Sequence, residues 1–206
     1  MKTEKRIILS ARVVSAIFNP LYLAFTSFCI LFLFTYLSLL PWAFKLKTLI
    51  VVYFFTVLLP ITLIHLYRRS KGWTLIELGQ RERRLIPYLI SIVSYLACYY
   101  LLETAHAPHF MGAIVATSLL IQVVCALVNT QWKVSTHTAA IGGMEGALVA
   151  MSFIFVFSAL LWFCVLLIVG GLVGSARMLL RQHSLSQVVG GFLIGFVCGL
   201  LGMVYL

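Results

Sequence analysis

The chain has 206 residues, of which 63% are hydrophobic and 10% charged, and its formal net charge is +10. Soluble domains carry about 25% charged residues, and a soluble helical core would need far more polar surface than this composition supplies, so the chain reads as a polytopic membrane protein. In that setting the cations speak to orientation and to anionic headgroups or substrates; nucleic acid is not an expected partner, because the aromatic-basic interleaving that reads it is missing.

Residues 1–12 are polar and basic, with Lys2, Lys5, Arg6 and Arg12. No signal-peptide cleavage site is recognisable after them, and the apolar run that follows, Val13 to Leu40 with Pro20 near its start, reads as a first membrane helix. Pro41-Trp42 closes it at the interface, and Lys45 and Lys47 make a short basic link. A second run covers 48–67. The longest polar segment follows, with Arg68, Arg69, Lys71, Glu77, Arg81, Glu82, Arg83 and Arg84. Runs over 85–102 and 110–130 are separated by the polar turn Glu103-Thr-Ala-His-Ala-Pro-His109. Between Thr138 and Ser175 the only charge is Glu145, and this stretch suits two helices of about 18 residues with a turn near 152–158. A last run covers 185–206. Seven spans are expected, or six if the Pro20 segment does not cross.

Gly142, Gly146 and Ala150 recur at four-residue spacing, as do Gly191, Gly195 and Gly199. Such stripes let membrane helices approach closely. The five cysteines, Cys29, Cys98, Cys125, Cys164 and Cys198, are spread one to a run and read as small packing residues, with neither a disulfide framework nor a metal site implied. Glu103, His106 and His109 form a weak metal-like set, and none is assigned. If the spans alternate, 13 of the 15 Lys and Arg residues fall on one side of the membrane, which the positive-inside rule places in the cytoplasm.

Two polar clusters interrupt the apolar pattern. One is Trp132-Lys-Val-Ser-Thr-His137; the other is Ser175-Ala-Arg177, with His183 six residues on and Gln187 four further. Polar groups at the edge of membrane segments are costly and mark functional sites. Arginine offers paired planar donors to phosphate, serine and helix N-termini add more, and two histidines can act as nucleophile and proton donor. We expect the clusters to meet in space and bind a phosphate.

Ser175-Ala-Arg177-x5-His183-x3-Gln187 followed by Val-Val-Gly-Gly resembles the third motif, S-R-x5-H-x3-D, of the type 2 phosphatidic acid phosphatases, a family of membrane lipid phosphatases. Lys133-Val-Ser-Thr-His137 is similar to the family's second motif, P-S-G-H. The resemblance implies an all-α, polytopic membrane bundle: a six-helix phosphatase-like core over 48–206, preceded at 1–47 by the basic N-terminus and one extra N-terminal helix. It implies a metal-independent hydrolase without cofactor, acting on a phospholipid or polyprenyl phosphate in a bacterial inner membrane. In the roles it assigns, His183 is the nucleophile and forms a phosphohistidine, His137 protonates the leaving oxygen, and Ser135 and Arg177 bind phosphate. Three departures stand out. Val134 and Thr136 replace the Pro and Gly of the second motif. The first motif, K-x6-R-P, is missing; Arg81 and Arg84 before Pro87, or Lys133, could supply its phosphate contacts. Gln187 stands where the family has the Asp that orients the nucleophile, and the chain has no Asp at all. The form H-x3-Q-V looks like the dolichyl diphosphate phosphatase branch, which favours a polyprenyl diphosphate as substrate. The alternative is a weak or inactive member that binds or transports a lipid phosphate. Glu145, on the same helix as His137, could pair with an arginine or reach His183. Oligomeric state has no signal in the sequence.

Overall fold

The computed structural model describes residues 2–78, 80–154 and 158–205, and every regular element among them is helical. In chain order these are α1 (Lys2–Ile17), α2 (Leu23–Phe34), α3 (Trp42–Tyr53), α4 (Leu59–Ser70), the single turn α5 (Leu75–Leu78), α6 (Leu85–Thr104), α7 (His109–Gln131), α8 (Thr136–Ile154), α9 (Leu160–Leu179) and α10 (Leu185–Tyr205). The chain is the all-α membrane bundle that its composition predicts. Part of the turn expected near 152–158, residues 155–157, lies outside the described residues, as do Met1 and Leu206.

Six described stretches are long and apolar enough to cross a bilayer: Lys5–Phe34, Trp42–Ser70, Arg81–Thr104, His109–Gln131, Leu160–Leu179 and Leu185–Tyr205. The seventh expected span is α8, which is helical over 19 residues but diluted by Thr136, His137, Glu145 and three glycines. That composition suits a helix shielded from lipid. Thr138, Ala139, Ala140, Ile141, Gly142, Gly143, Glu145 and Gly146 are all buried.

The first expected run is neither one helix nor does it begin at Val13. Helix α1 starts at Lys2, because Lys, Arg, Ala and Ile are adequate helix formers whether or not they are apolar. It ends before Pro20, which lacks an N–H and opens a 3-10 turn, Pro20–Tyr22, ahead of α2. Helices α3 and α4 are joined through a wide π-type turn, Phe54–Leu58, immediately before Pro60. Proline cannot donate to the carbonyl four residues back, and the helix widens there.

The chain forms two compact units, one of residues 1–20 with 120–206 and the other of residues 21–119. The cuts fall after Pro20 and inside α7. Within the first unit α1 packs along α9.

In the 21–119 unit, the fully buried Tyr95 donates its hydroxyl to the Leu21 carbonyl at 2.8 Å. Lys45, also buried, lies over the Trp42 ring at 4.2 Å and donates to the Ser38 carbonyl at 2.8 Å, so its charge is solvated by protein. At the end of α4, Gly72 takes the left-handed conformation (φ 66°) that the terminating turn requires.

In the other unit, α8 and α10 are parallel neighbours in direct backbone contact. A side chain on Gly142 would run into the Phe192 carbonyl, one on Gly146 into that of Phe196, one on Gly195 into that of Ala139, and one on Gly199 into that of Gly143. Partner numbers rise together on both helices, so their N-termini lie at the same end. The two glycine stripes seen in the sequence are the two sides of this one contact.

Gly195→Ala is expected to destabilise the protein by roughly 1–3 kcal/mol through overpacking. Gly171→Ala, on an open face of α9 with nothing near its added methyl, is expected to be neutral or to stabilise by about 0.5–1 kcal/mol. Thermal melts of the purified protein in detergent, monitored by size-exclusion chromatography, separate the two.

Candidate functional site

The site residues sit where three helix ends meet. Helix α8 begins after Ser135, a fully buried N-cap whose Oγ accepts from the Thr138 N–H at 3.5 Å. The Ser135 N–H in turn donates to the Gln187 carbonyl at 3.2 Å, and Thr138 Oγ1 donates to the Val188 carbonyl at 2.9 Å. A methyl on Gly191 would lie 2.6 Å from the Ser135 carbonyl, and one on Gly190 would lie 2.5 Å from the Trp132 ring. The two polar clusters of the sequence therefore meet, joined through their backbones. Arg177 comes from the last turn of α9. One turn earlier, a methyl on Gly174 would lie 2.7 Å from Val188 and 3.7 Å from Thr138, so α9 brings its end to the same place.

The reversal from α9 to α10 is tightly specified. The Arg181 N–H donates to the Met178 carbonyl at 2.8 Å and the Gln182 N–H to the Arg177 carbonyl at 3.1 Å. This is the paired 5→2 and 6→1 helix stop that normally uses glycine. Here Arg181 occupies the left-handed position with φ 52°.

Helix α10 then opens with a reciprocal capping box. Ser184 Oγ accepts from the Gln187 N–H at 3.4 Å, and Gln187 Oε1 accepts from the Ser184 N–H at 3.3 Å. The same Oε1 lies 3.1 Å from His183 Nδ1. Since the backbone N–H can only donate, the atom facing it is the amide oxygen, and His183 must donate to that oxygen from Nδ1. The neutral ring then carries its lone pair on Nε2, the atom a nucleophile needs. Gln187 thus caps the helix and fixes the imidazole tautomer. It supplies the orientation of a carboxylate without the charge.

Burial sorts the remaining residues. Arg177 is 8% exposed and His183 7%. His137, at the second position of α8, is half-buried, as is Lys133 in the link before it. Two parallel helix N-termini, each worth about half a positive charge, converge beside Arg177 and Lys133 and favour an anion.

Arg81 and Arg84 belong to the 21–119 unit, in the 3-10 turn Arg81–Arg84 before α6. Arg84 lies beside the Tyr88 side chain there. The neighbouring Arg83 pairs with Glu77 at 3.3 Å and lies 4.5 Å from the centre of the Trp73 ring. Bonds from the Thr74 N–H and hydroxyl hold the Glu77 carboxyl below the usual range, with Arg83 adding to the effect. This loop is a folded structure with its own internal contacts.

Glu145 makes neither of the contacts that the sequence left open for it, an arginine or His183. It is 1% exposed, and neither carboxylate oxygen has a hydrogen-bond partner among the described residues. Glu103, His106 and His109 do not gather as a three-ligand set, and no such group occurs among the described residues. Two participants escaped the sequence reading. Ser184 was detectable, because Ser-x-x-Gln before an apolar run is a helix-start signature. Ser15, whose Oγ accepts from Arg177 Nη1 at 2.6 Å, lies 162 residues away and had no signal.

Compared with known proteins, the chain matches no protein-family model, no curated protein and no solved structure.

Gln187→Glu keeps the reach and the cap while adding a charge beside the ring, so the His183 imidazole is expected to hold its proton to higher pH than in the wild type. Histidine-selective NMR titration reads this directly; an unchanged titration would contradict the Nδ1 contact. Glu145→Met removes an unbonded buried carboxyl and is expected to stabilise by roughly 1–3 kcal/mol, read as a higher melting temperature.

Proposed function

We propose that this protein is an integral-membrane phosphatase that hydrolyses a lipid-linked phosphate or diphosphate, most consistently a polyprenyl diphosphate, through a phosphohistidine intermediate. The observation that carries the reading is the His183 Nδ1–Gln187 Oε1 contact at the N-terminus of α10, beside the N-terminus of α8 and the end of α9 that bears Arg177. It gives a histidine of defined tautomer beside two helix N-termini and an arginine, the equipment for in-line attack on phosphorus.

In this mechanism the lone pair on His183 Nε2 forms a bond to phosphorus as the bond to the leaving oxygen breaks. Arg177, Lys133 and the backbone amides of the two helix starts bear the charge on the non-reacting oxygens, since phosphoryl transfer is mostly positioning and charge stabilisation. His137 gives its proton to the leaving oxygen. Water then attacks phosphorus, His137 takes the proton, the P–N bond breaks and inorganic phosphate leaves.

Gln187 argues for the substrate class. An uncharged partner fixes the tautomer but activates the imidazole less than a carboxylate does, because it does not stabilise positive charge on the ring. A phosphoanhydride, whose leaving group is already a stable phosphate anion, demands the least of such a nucleophile. A bacterial inner membrane is the compartment that fits this reading.

Detergent-purified protein should release phosphate from a polyprenyl diphosphate in preference to a phosphatidate or a phosphatidylglycerol phosphate. EDTA should have no effect, and His183→Ala should lower release by at least about 10³-fold. No release from any of the three by folded wild-type protein would reject the enzyme and leave the binder or transporter reading.

A further inference from the structure

The Arg177–Ser15 bond ties the candidate site to a helix that the motif residues leave out. Helix α1 touches its unit through a narrow stripe, with Ala11 and Ser15 buried, Val14 and Phe18 half-buried, and the remaining side chains from Lys5 to Ile17 exposed. The spacing of 11, 14, 15 and 18 is one helix face, and that face lies on α9. At its centre Ser15 Oγ accepts from Arg177 Nη1 at 2.6 Å, with Ser15 7% and Arg177 8% exposed.

We infer that Ser15 is a positioning residue of the candidate phosphate site, fixing the plane of the Arg177 guanidinium so that its fork faces the oxyanion, and that α1 is accordingly part of the site. The inference rests on the reading of the site as an oxyanion site. An arginine has several rotatable bonds and a rigid planar head with five N–H donors. A bond at one corner fixes the orientation of that head and uses a single donor. A carboxylate at the same place would also fix the plane, but it would cancel the charge an oxyanion requires. A hydroxyl fixes the plane and leaves the charge intact. The unit's organisation agrees, because residues 1–20 fall in the same compact unit as α8, α9 and α10, the helices that carry the site residues.

The test uses the full chain in detergent with Ser15→Ala, Ser15→Thr, Ser15→Asp and Arg177→Ala, and inorganic phosphate as the probe. Phosphate affinity is read from the phosphate-dependent rise in melting temperature, and KM and kcat from the lipid that the wild type hydrolyses. Ser15→Ala should weaken phosphate binding and raise KM about tenfold, the loss expected for one hydrogen bond to a charged group. Its melting temperature without phosphate should fall modestly, because a buried donor loses its partner, so the phosphate-dependent rise is read from each variant's own baseline. Ser15→Thr, which keeps the hydroxyl, should restore wild-type affinity; Ser15→Asp should abolish it. Ser15→Ala binding phosphate as the wild type does would overturn the inference alone. Tighter binding by Ser15→Ala would overturn it too, since the hydroxyl would then be a competitor for the arginine. If Arg177→Ala bound phosphate normally, or the wild type bound none, the oxyanion reading of the site would fail along with it.

Discussion

The backbone contact between α8 and α10 is the constraint on which the site depends. Helices carrying ordinary side chains pack 8–10 Å apart; Gly142 and Gly146 on one helix and Gly191, Gly195 and Gly199 on the other remove the side chains that would hold these two apart. Because the pair is parallel, the contact places both helix N-termini together. Each start brings unsatisfied N–H groups and a partial positive charge. The serines that cap them, Ser135 and Ser184, and the histidines beside them, His137 and His183, are thereby concentrated at one place by packing alone. Polar chemistry at the helix ends follows from apolar geometry along their length.

Economy of residues is the second feature. Gln187 closes the capping box, orients the His183 ring and, through its carbonyl, receives the Ser135 N–H. Three elements are registered through one residue. The stop at the end of α9 works similarly: Arg177 contributes its side chain to the site and its carbonyl to the turn that reverses the chain. Substitution at either position therefore perturbs local structure and chemistry together, and readouts specific to the imidazole or the oxyanion are needed to tell them apart.

Much of this was legible in the sequence, and for identifiable reasons. Apolar runs of membrane length mark helices because lipid leaves the backbone few alternatives. The two polar clusters stood out against those runs, and the structure joins them. The glycine spacing announced close packing, though not which helices were partners. Local backbone detail was hidden: the wide turn before Pro60 and the left-handed Arg181 are outcomes that residue type alone does not specify. The pairing of Arg177 with Ser15 was hidden more deeply. A serine in a basic, apolar N-terminal segment looks like any other, and its significance arises only once α1 is packed along α9.

The composition of α8 has a consequence for how the protein enters its membrane. With Glu145, His137 and three glycines it is not among the six described stretches apolar enough to cross a bilayer, and its burial comes from neighbours, α10 foremost. Its Thr138 reaches for a carbonyl 50 residues further along the chain. At synthesis rates of about 5–20 residues per second, that partner arrives several seconds after α8 has emerged. During the interval α8 has to be sheltered by the insertion machinery or by the helices made before it, and its stable place in the bilayer is set retroactively, when the last helix of the chain docks.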